Sequence, residues 1–208
     1  MFENSFNYFV NAPAWELLAV ALSVTYVVLV ARNNVWCWPA ALVSTLIFTI
    51  IFYDVSLLME SLLNAYYMIM AVYGWYRWKN AHFILGDNSL RICTWRWQRH
   101  VLLITMLSVI SVVLGWFMDN YTLADYAYLD TFTTVFAIAT TYLVTIKLLE
   151  NWFYWIVINL VSVYLYLQKG LEPTAMLAIF NVVMCFFGIH KWYADYQVQE
   201  TTGNHERS

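Results

Sequence analysis

The chain has 208 residues, of which 62% are hydrophobic, 19% aromatic and 11% charged, with a mean hydropathy of +0.61. Soluble domains carry about 25% charged residues, so a water-soluble fold is excluded. The formal net charge of −3, from 10 basic and 13 acidic side chains, leaves no broad basic surface for nucleic acid.

The first 13 residues contain Glu3 but no Lys or Arg. They lack the basic n-region of a cleavable signal peptide, so the first helix is expected to remain. Apolar runs follow at 14–31, 36–53, 55–78, 101–118, 128–149, 152–168 and 173–193, near the roughly 20 residues a spanning helix needs. In lipid only helices and closed barrels satisfy their backbone, and runs such as Leu17 to Val30 lack the alternation of a barrel strand. The expected class is an all-α membrane protein of seven transmembrane helices. Its segments are an outer N-terminal stretch (1–13), a three-helix unit (14–78), a cytoplasmic loop (79–100), a linker helix with an outer loop (101–127), a second three-helix unit (128–193) and a cytoplasmic tail (194–208). The fourth helix is apolar almost throughout and is expected at the periphery, against lipid or a neighbouring subunit. The tail after Tyr193 is polar and expected to be disordered.

Alternating the segments across the membrane puts Arg32, Arg77, Lys79, Arg91, Arg96, Arg99, Lys147, Lys191 and Arg207 on one side and Lys169 alone on the other. The positive-inside rule assigns the first side to the cytoplasm, with the N-terminus outside and the C-terminus inside. Trp36, Trp38, Trp75, Trp78, Trp116, Trp152 and Trp192 lie near helix ends, where an aromatic belt would place them. The opposite side carries Glu3, Glu16, Asp54, Glu60, Asp119, Asp125, Asp130 and Glu172. A negative mouth attracts cations, although positive-inside sorting alone depletes Lys and Arg there.

The first and last three helices align at an offset of 114 residues, pairing Glu16 with Asp130, Trp38 with Trp152, Gly74 with Gly188, Arg77 with Lys191 and Trp78 with Trp192. Two three-helix units joined by one further helix keep the same orientation. The expected architecture is therefore a 3+1+3 parallel repeat, SWEET-like, with a substrate path between the halves.

Polar, aromatic and small residues recur at helical spacing. Helix three presents Glu60, Asn64, Tyr67, Ala71, Gly74 and Trp78 on one face, and helix seven presents Thr174, Ala178, Asn181, Cys185, Gly188 and Trp192. Helix six aligns Trp152, Trp155, Asn159, Ser162 and Tyr166, and helix five Asp130, Thr133, Thr134, Ala137 and Thr141. Helices one and two are expected to contribute sparsely, through Glu16, Ser23, Tyr26, Thr45 and Thr49. An aromatic face beside an amide suits a flat heterocycle, stacking giving affinity and hydrogen bonds orientation. Trp155 and Asn159 lead the candidate binding set, with Asn64, Glu60, Trp152, Tyr67, Asn181, Ser162 and Tyr142. The alternative for Asn159 is an interhelical hydrogen bond, worth about 0.6 kcal/mol in membrane proteins. Glu60 is either a vestibule charge or an interfacial carboxylate reaching water. Glu16 and Asp130, with Trp38, are gate or vestibule candidates, the two acids otherwise marking helix N-termini.

Cys37, Cys93 and Cys185 are odd in number and far apart, which argues against a disulfide framework and a metal site. No Walker A sequence points to ATP-driven transport, and no Ser-His-Asp or HExxH arrangement to a hydrolase. His82, His100, His190 and His205 lie in the loop or at or beyond cytoplasmic helix ends, so no buried relay is visible. No enzyme, cofactor or metal is expected, and facilitated diffusion is the simplest mechanism.

Glu150-Asn151-Trp152, then Trp155 and Asn159, then Ser162-Val163, resemble the helix-six signature of the PnuC family of vitamin transporters. Tyr73-Gly74-Trp75-Tyr76-x-Trp78 resembles the end of that family's helix three, and Gly188 with Trp192 its last helix. Glu16 and Asp130 fall where the family carries acids opening helices one and five. The resemblance covers residues 14–193. It implies homotrimeric assembly in the bacterial inner membrane and uptake of unphosphorylated nicotinamide riboside, thiamine or riboflavin without energy coupling, followed by trapping through a separate cytosolic kinase. Relative to nicotinamide-riboside members, Ser44 stands for an Asn, Asn64 for a Gln and Glu60 for a small residue. The added carboxylate suits a cation, and the lost Asn and Gln would weaken ribose and carboxamide recognition. The expected cargo is thiamine, with nicotinamide riboside second and riboflavin third; the alternative within transport is another uncharged or cationic small solute, such as a sugar.

Overall fold

A computed structural model describes residues 14–54, 58–80, 90–122 and 126–205, with backbone alone at 52, 58–60, 173 and 203–205. The expected outer segment 1–13, positions 81–89 of the loop and the Glu60 side chain lie outside the described residues. Seven helices are present among them: α1 (Ala14–Ala31), α2 (Cys37–Asp54), α3 (Leu58–Lys79), α4 (Trp97–Tyr121), α5 (Ala127–Thr145), α6 (Asn151–Gln168) and α7 (Glu172–His205). Four stretches are long and apolar enough to cross a membrane: Ala14–Ala31, Trp97–Tyr121, Ala127–Thr145 and Thr174–Thr202. Cys37–Ile51 is a shorter apolar helix. In α3 and α6, Asn64, Asn151, Asn159 and Gln168 dilute the hydropathy of helices 22 and 18 residues long.

One turn is built twice. At the end of α1, Asn33 takes a left-handed backbone (φ 55°), and at the end of α5 Lys147 does the same (φ 53°). Asn33 N donates to the Val30 carbonyl at 2.9 Å and Asn34 N to Leu29 at 3.0 Å; Lys147 N donates to Val144 at 3.0 Å and Leu148 N to Leu143 at 3.0 Å. These bonds close the last helical turn and satisfy carbonyls that a helix end would otherwise leave bare. Cys37 and Asn151 then open the next helices by donating to Asn34 at 3.1 Å and Leu148 at 3.2 Å. Residue for residue, the two sets are 114 positions apart.

The packing is duplicated as well. The Trp38 ring lies on Gly74, where an added Cβ would come within 2.4 Å of it, and the Trp152 ring lies on Gly188, where the distance is 2.5 Å. Trp38 meets Trp78 edge-on (5.3 Å, 90°) and Trp152 meets Trp192 in the same way (5.4 Å, 86°), while Trp78 and Trp192 touch each other at 6.0 Å. Edge-to-face pairs of this kind contribute about 0.5–1.5 kcal/mol each. Two further bonds cross between the triplets α1–α3 and α5–α7: Trp78 Nε1 donates to the Thr145 carbonyl at 3.2 Å and Trp192 Nε1 to that of Val30 at 2.9 Å. The four indoles close the cation-rich end of the molecule.

Below them runs a strap. Leu90 and Ile92 are buried in the same core as the tryptophans. Cys93 N donates to the Lys147 carbonyl at 3.0 Å, and Leu149 N to that of Cys93 at 2.8 Å. Glu150 Oε1 accepts from Trp95 N at 3.2 Å and lies 3.8 Å from His100 Nε2.

Helix α4 packs chiefly on α5, through Leu107, Ser111 and Gly115 at four-residue spacing. Gly115 admits the Tyr128 ring, which a Cβ there would meet at 2.7 Å. Its other faces, including Leu102, Val109, Val112, Val113 and Phe117, are exposed.

The final helix differs from expectation: it does not stop at Tyr193 but continues to His205. Lys191 pairs with Asp195 at 2.7 Å and Tyr196 donates to Glu200 at 2.8 Å, both at the (i, i+4) spacing that supports a helix. Asp195 also accepts from Asn33 Nδ2 at 3.2 Å, and Gln199 Oε1 accepts from Ile92 N at 2.9 Å, so the extension is docked on the α1–α2 turn and on the strap.

Candidate substrate-binding cavity

A cavity of about 770 Å³ lies between the two triplets. It reaches from Glu16, Ile51 and Thr174, at the acid-rich ends of α1, α2 and α7, down to Val30, Trp38, Val144, Trp152 and Cys185 beside the tryptophan floor. Volumes of about 300–1,000 Å³ accommodate small organic ligands.

Helix α6 supplies Trp152, Trp155 and Asn159 to the wall. Asn159 Nδ2 donates to the Trp155 carbonyl at 2.8 Å, which leaves its amide oxygen as the acceptor for an incoming donor. The positions 114 residues earlier are Ala41 and Thr45 on α2, which also line the cavity. A large flat side chain on one half thus answers to a small one on the other, and the space beside Trp155 stays open. Helix α3 adds Asn64, Tyr67 and Ala71, and α7 adds Asn181 and Cys185. The Asn181 Oδ1 atom is buried with no hydrogen-bond partner among the described residues. A buried amide oxygen without a donor is costly.

Of the twelve side chains singled out from the sequence, Trp38, Trp152, Trp155, Asn159, Asn64, Tyr67, Asn181 and Glu16 are brought together on this cavity. Three are elsewhere. Tyr142 is exposed and stacks on Tyr73 at 6.5 Å, because it sits one residue, about 100° of helix, past Thr141, which does face inward. Ser162 is buried but off the cavity wall. Asp130 lies 3.8 Å from Lys169, tying the start of α5 to the end of α6 rather than mirroring Glu16.

The contributions of α1 and α5 are the reverse of the sequence expectation. Helix α5 gives the wall Thr141 and Val144, whereas α1 gives Glu16, Val20, Ser23, Val24, Tyr26, Val27 and Val30. The α5 threonines spend their hydroxyls on their own helix: Thr133 on Asp130, Thr140 on Phe136, Thr141 on Ala137 and Thr145 on Tyr142, at 2.7–2.9 Å. Such back-bonding makes a polar stripe compatible with apolar packing. The valines of α1 carry no polar signal, so periodicity could not distinguish a cavity wall from a lipid-facing surface.

The profile of the nicotinamide mononucleotide transporter family matches residues 13–194. The chain belongs to that family, the PnuC transporters. Among similar proteins are the riboflavin/roseoflavin transporter RibM of Streptomyces davaonensis, 25% identical over 164 residues (78% of this chain, 76% of RibM), and the nicotinamide riboside transporter PnuC of Escherichia coli, 24% identical over 179 residues (73% of each). The crystal structure of the vitamin B3 transporter PnuC superposes with a TM-score of 0.73 at 18% identity, covering 92% of this chain and 86% of that one. The chain thus has the PnuC fold, and its relatives are membrane transporters of small vitamins.

Within this PnuC-type chain the Glu150-Asn151-Trp152 signature divides. Trp152 faces the cavity, but Asn151 is fully buried and donates to the Leu148 carbonyl at 2.6 Å, and Glu150 holds the strap. The first two residues hold the α5–α6 turn, and the third, with Trp155 and Asn159, forms the wall.

Proposed function

We propose that this protein is a facilitated-diffusion carrier that takes up unphosphorylated thiamine across the bacterial inner membrane, with its N-terminus outside and its C-terminus in the cytoplasm. The observation that carries this reading is the Trp155–Asn159 wall on a cavity between the triplets that Asn64 and Asn181 also line. Trp152, Trp155 and Tyr67 would hold a planar ring, and Asn159, Asn64 and Asn181 would orient it. Glu16 lines the cavity and no Lys or Arg does among the described residues, a field that favours a cation.

Thiamine is favoured over nicotinamide riboside because Ser44, where the family resemblance would put an amide in riboside carriers, spends its hydroxyl on the Ala19 carbonyl at 2.8 Å. Nicotinamide riboside is the second reading, supported by the Escherichia coli relative and by its own ring-centred positive charge. Riboflavin, named for the Streptomyces relative, is neutral and gains nothing from Glu16.

The twice-built turn and the paired Trp–Gly contacts support a 3+1+3 parallel repeat, with units 14–78 and 128–193 rocking about the cavity. The exposed apolar faces of α4 suit lipid or the neighbouring subunit of a homotrimer. A cytosolic kinase would trap the product, since the phosphorylated vitamin no longer fits a cavity with an acidic mouth. Thermal unfolding in detergent with thiamine, thiamine monophosphate, nicotinamide riboside and riboflavin tests the assignment, because a ligand stabilises the state it binds. Thiamine is expected to raise the unfolding temperature and its monophosphate not to. An equal response to all four, or a response to nicotinamide riboside alone, removes the thiamine assignment.

A further inference from the structure

The twice-built turn carries different side chains at its left-handed position, Asn33 in one copy and Lys147 in the other. Asn33 donates to Asp195, a carboxylate from α7 of the opposite triplet. The position 114 residues before Asp195 is Ala81, so the sequence provides no matching acid for Lys147. Lys147 is nevertheless only 7% exposed, and no ion pair reaches it among the described residues. Its Nζ lies 4.3 Å from the ring centroid of Trp78, a central member of the tryptophan floor.

Among the described residues, the titratable groups acting on it are the Cys37 thiol on α2 and the Asp195 carboxylate on α7, the latter already engaged by Lys191 and Asn33. From the strap, Cys93 offers its N–H to the Lys147 carbonyl rather than a charge to the ammonium. A cation–π contact offsets part of the desolvation of a buried ammonium, but an uncompensated remainder is expected when no carboxylate is paired with it. A movement that uncovers Nζ more fully would relieve that cost.

We propose that Lys147 is a positioning residue that biases the tryptophan floor toward opening, its ammonium being desolvated while the triplets are closed at this end and rehydrated when they part. The proposal rests on the transport reading for the meaning of that opening, but the opening itself can be measured without a cargo. Burial lowers the Lys147 pKa from its ordinary 10.5 to about 8, so the group is largely charged at neutral pH and the bias fades above that.

Trp192 is fully buried and its Nε1–H donates to the Val30 carbonyl across the floor, so exchange of this indole proton with solvent reports the state of the floor. The experiment is hydrogen–deuterium exchange of that proton, followed by NMR of the protein in nanodiscs. Lys147→Met should slow the exchange at pH 7 by about fivefold or more, the lower end of typical two-state couplings, while Lys147→Arg keeps the parent rate. An unchanged rate in Lys147→Met overturns the proposal, as does an equal slowing in Lys147→Arg, which would make shape and not charge responsible. If Lys147→Met does not fold, the parent protein decides: its exchange rate, divided by that of the same protein unfolded in dodecyl sulfate, should fall between pH 7 and pH 9, and a constant ratio is contrary. Failure of every vitamin to bind would strike the transport reading and leave the exchange result intact.

Discussion

The amide nitrogen of Asn159 is spent on the Trp155 carbonyl at 2.8 Å, so truncation there removes one cavity acceptor without exposing a buried partner from another helix. Asn159→Ala should leave the unfolding temperature nearly unchanged and weaken vitamin binding by about tenfold, the equivalent of one hydrogen bond; titration calorimetry separates the two effects. Gly188 behaves in the opposite way. A Cβ at that position would sit 2.5 Å from the buried Trp152 ring, so the ring must give way toward the cavity it lines. Gly188→Ala should cost about 1–3 kcal/mol of stability, as overpacking does, and displace Trp152 from the wall, seen as a lower unfolding temperature together with weaker binding. Residues of this kind were legible in the sequence because Trp, Gly and Asn are conspicuous in an apolar chain. Tyr142 was misplaced because a one-residue step turns a side chain by about 100°, and Ser162 because a buried hydroxyl gives the same sequence signal as a cavity-facing one.

At the scale of elements, the seven helices could be read from the sequence to within four residues at each end, apart from the end of α7. Apolar runs long enough to span lipid leave few alternatives. The polar extension of α7 was not legible, since its support comes from afar: Asn33 to Asp195 and Ile92 to Gln199, contacts separated by 162 and 107 residues. Ending the chain at Ala194 removes both hydrogen bonds and should lower stability by about 1–3 kcal/mol, read as a shift in thermal unfolding. Asp195→Ala alone should cost less, because its pair with Lys191 is exposed. The strap was equally hidden. Leu90 and Ile92 look like loop residues until their place in the tryptophan core is seen.

For the whole molecule, charge and cavity are arranged along one axis, with Glu16 at one end and the buried Lys147 beyond the floor at the other. Because the Lys147 pKa is about 8 when folded and 10.5 ordinarily, the unfolded chain binds more protons between those values, so this group makes stability rise as pH increases through that window. Thermal unfolding between pH 7.5 and 9.5 should show this rise in the wild type and a flatter profile in Lys147→Met. The direction of the cavity was legible only in outline: the 114-residue offset brought Trp38 and Trp152 into register, but the valine wall of α1 has no signature in a chain that is 62% hydrophobic. The central claim is that the space between the triplets receives a planar vitamin, and a structure determined with thiamine bound tests it most directly. The ring should lie against Trp155 within hydrogen-bond reach of Asn159 or Asn181. Thiamine lodged outside this cavity, or an empty cavity at saturating thiamine, would contradict the account.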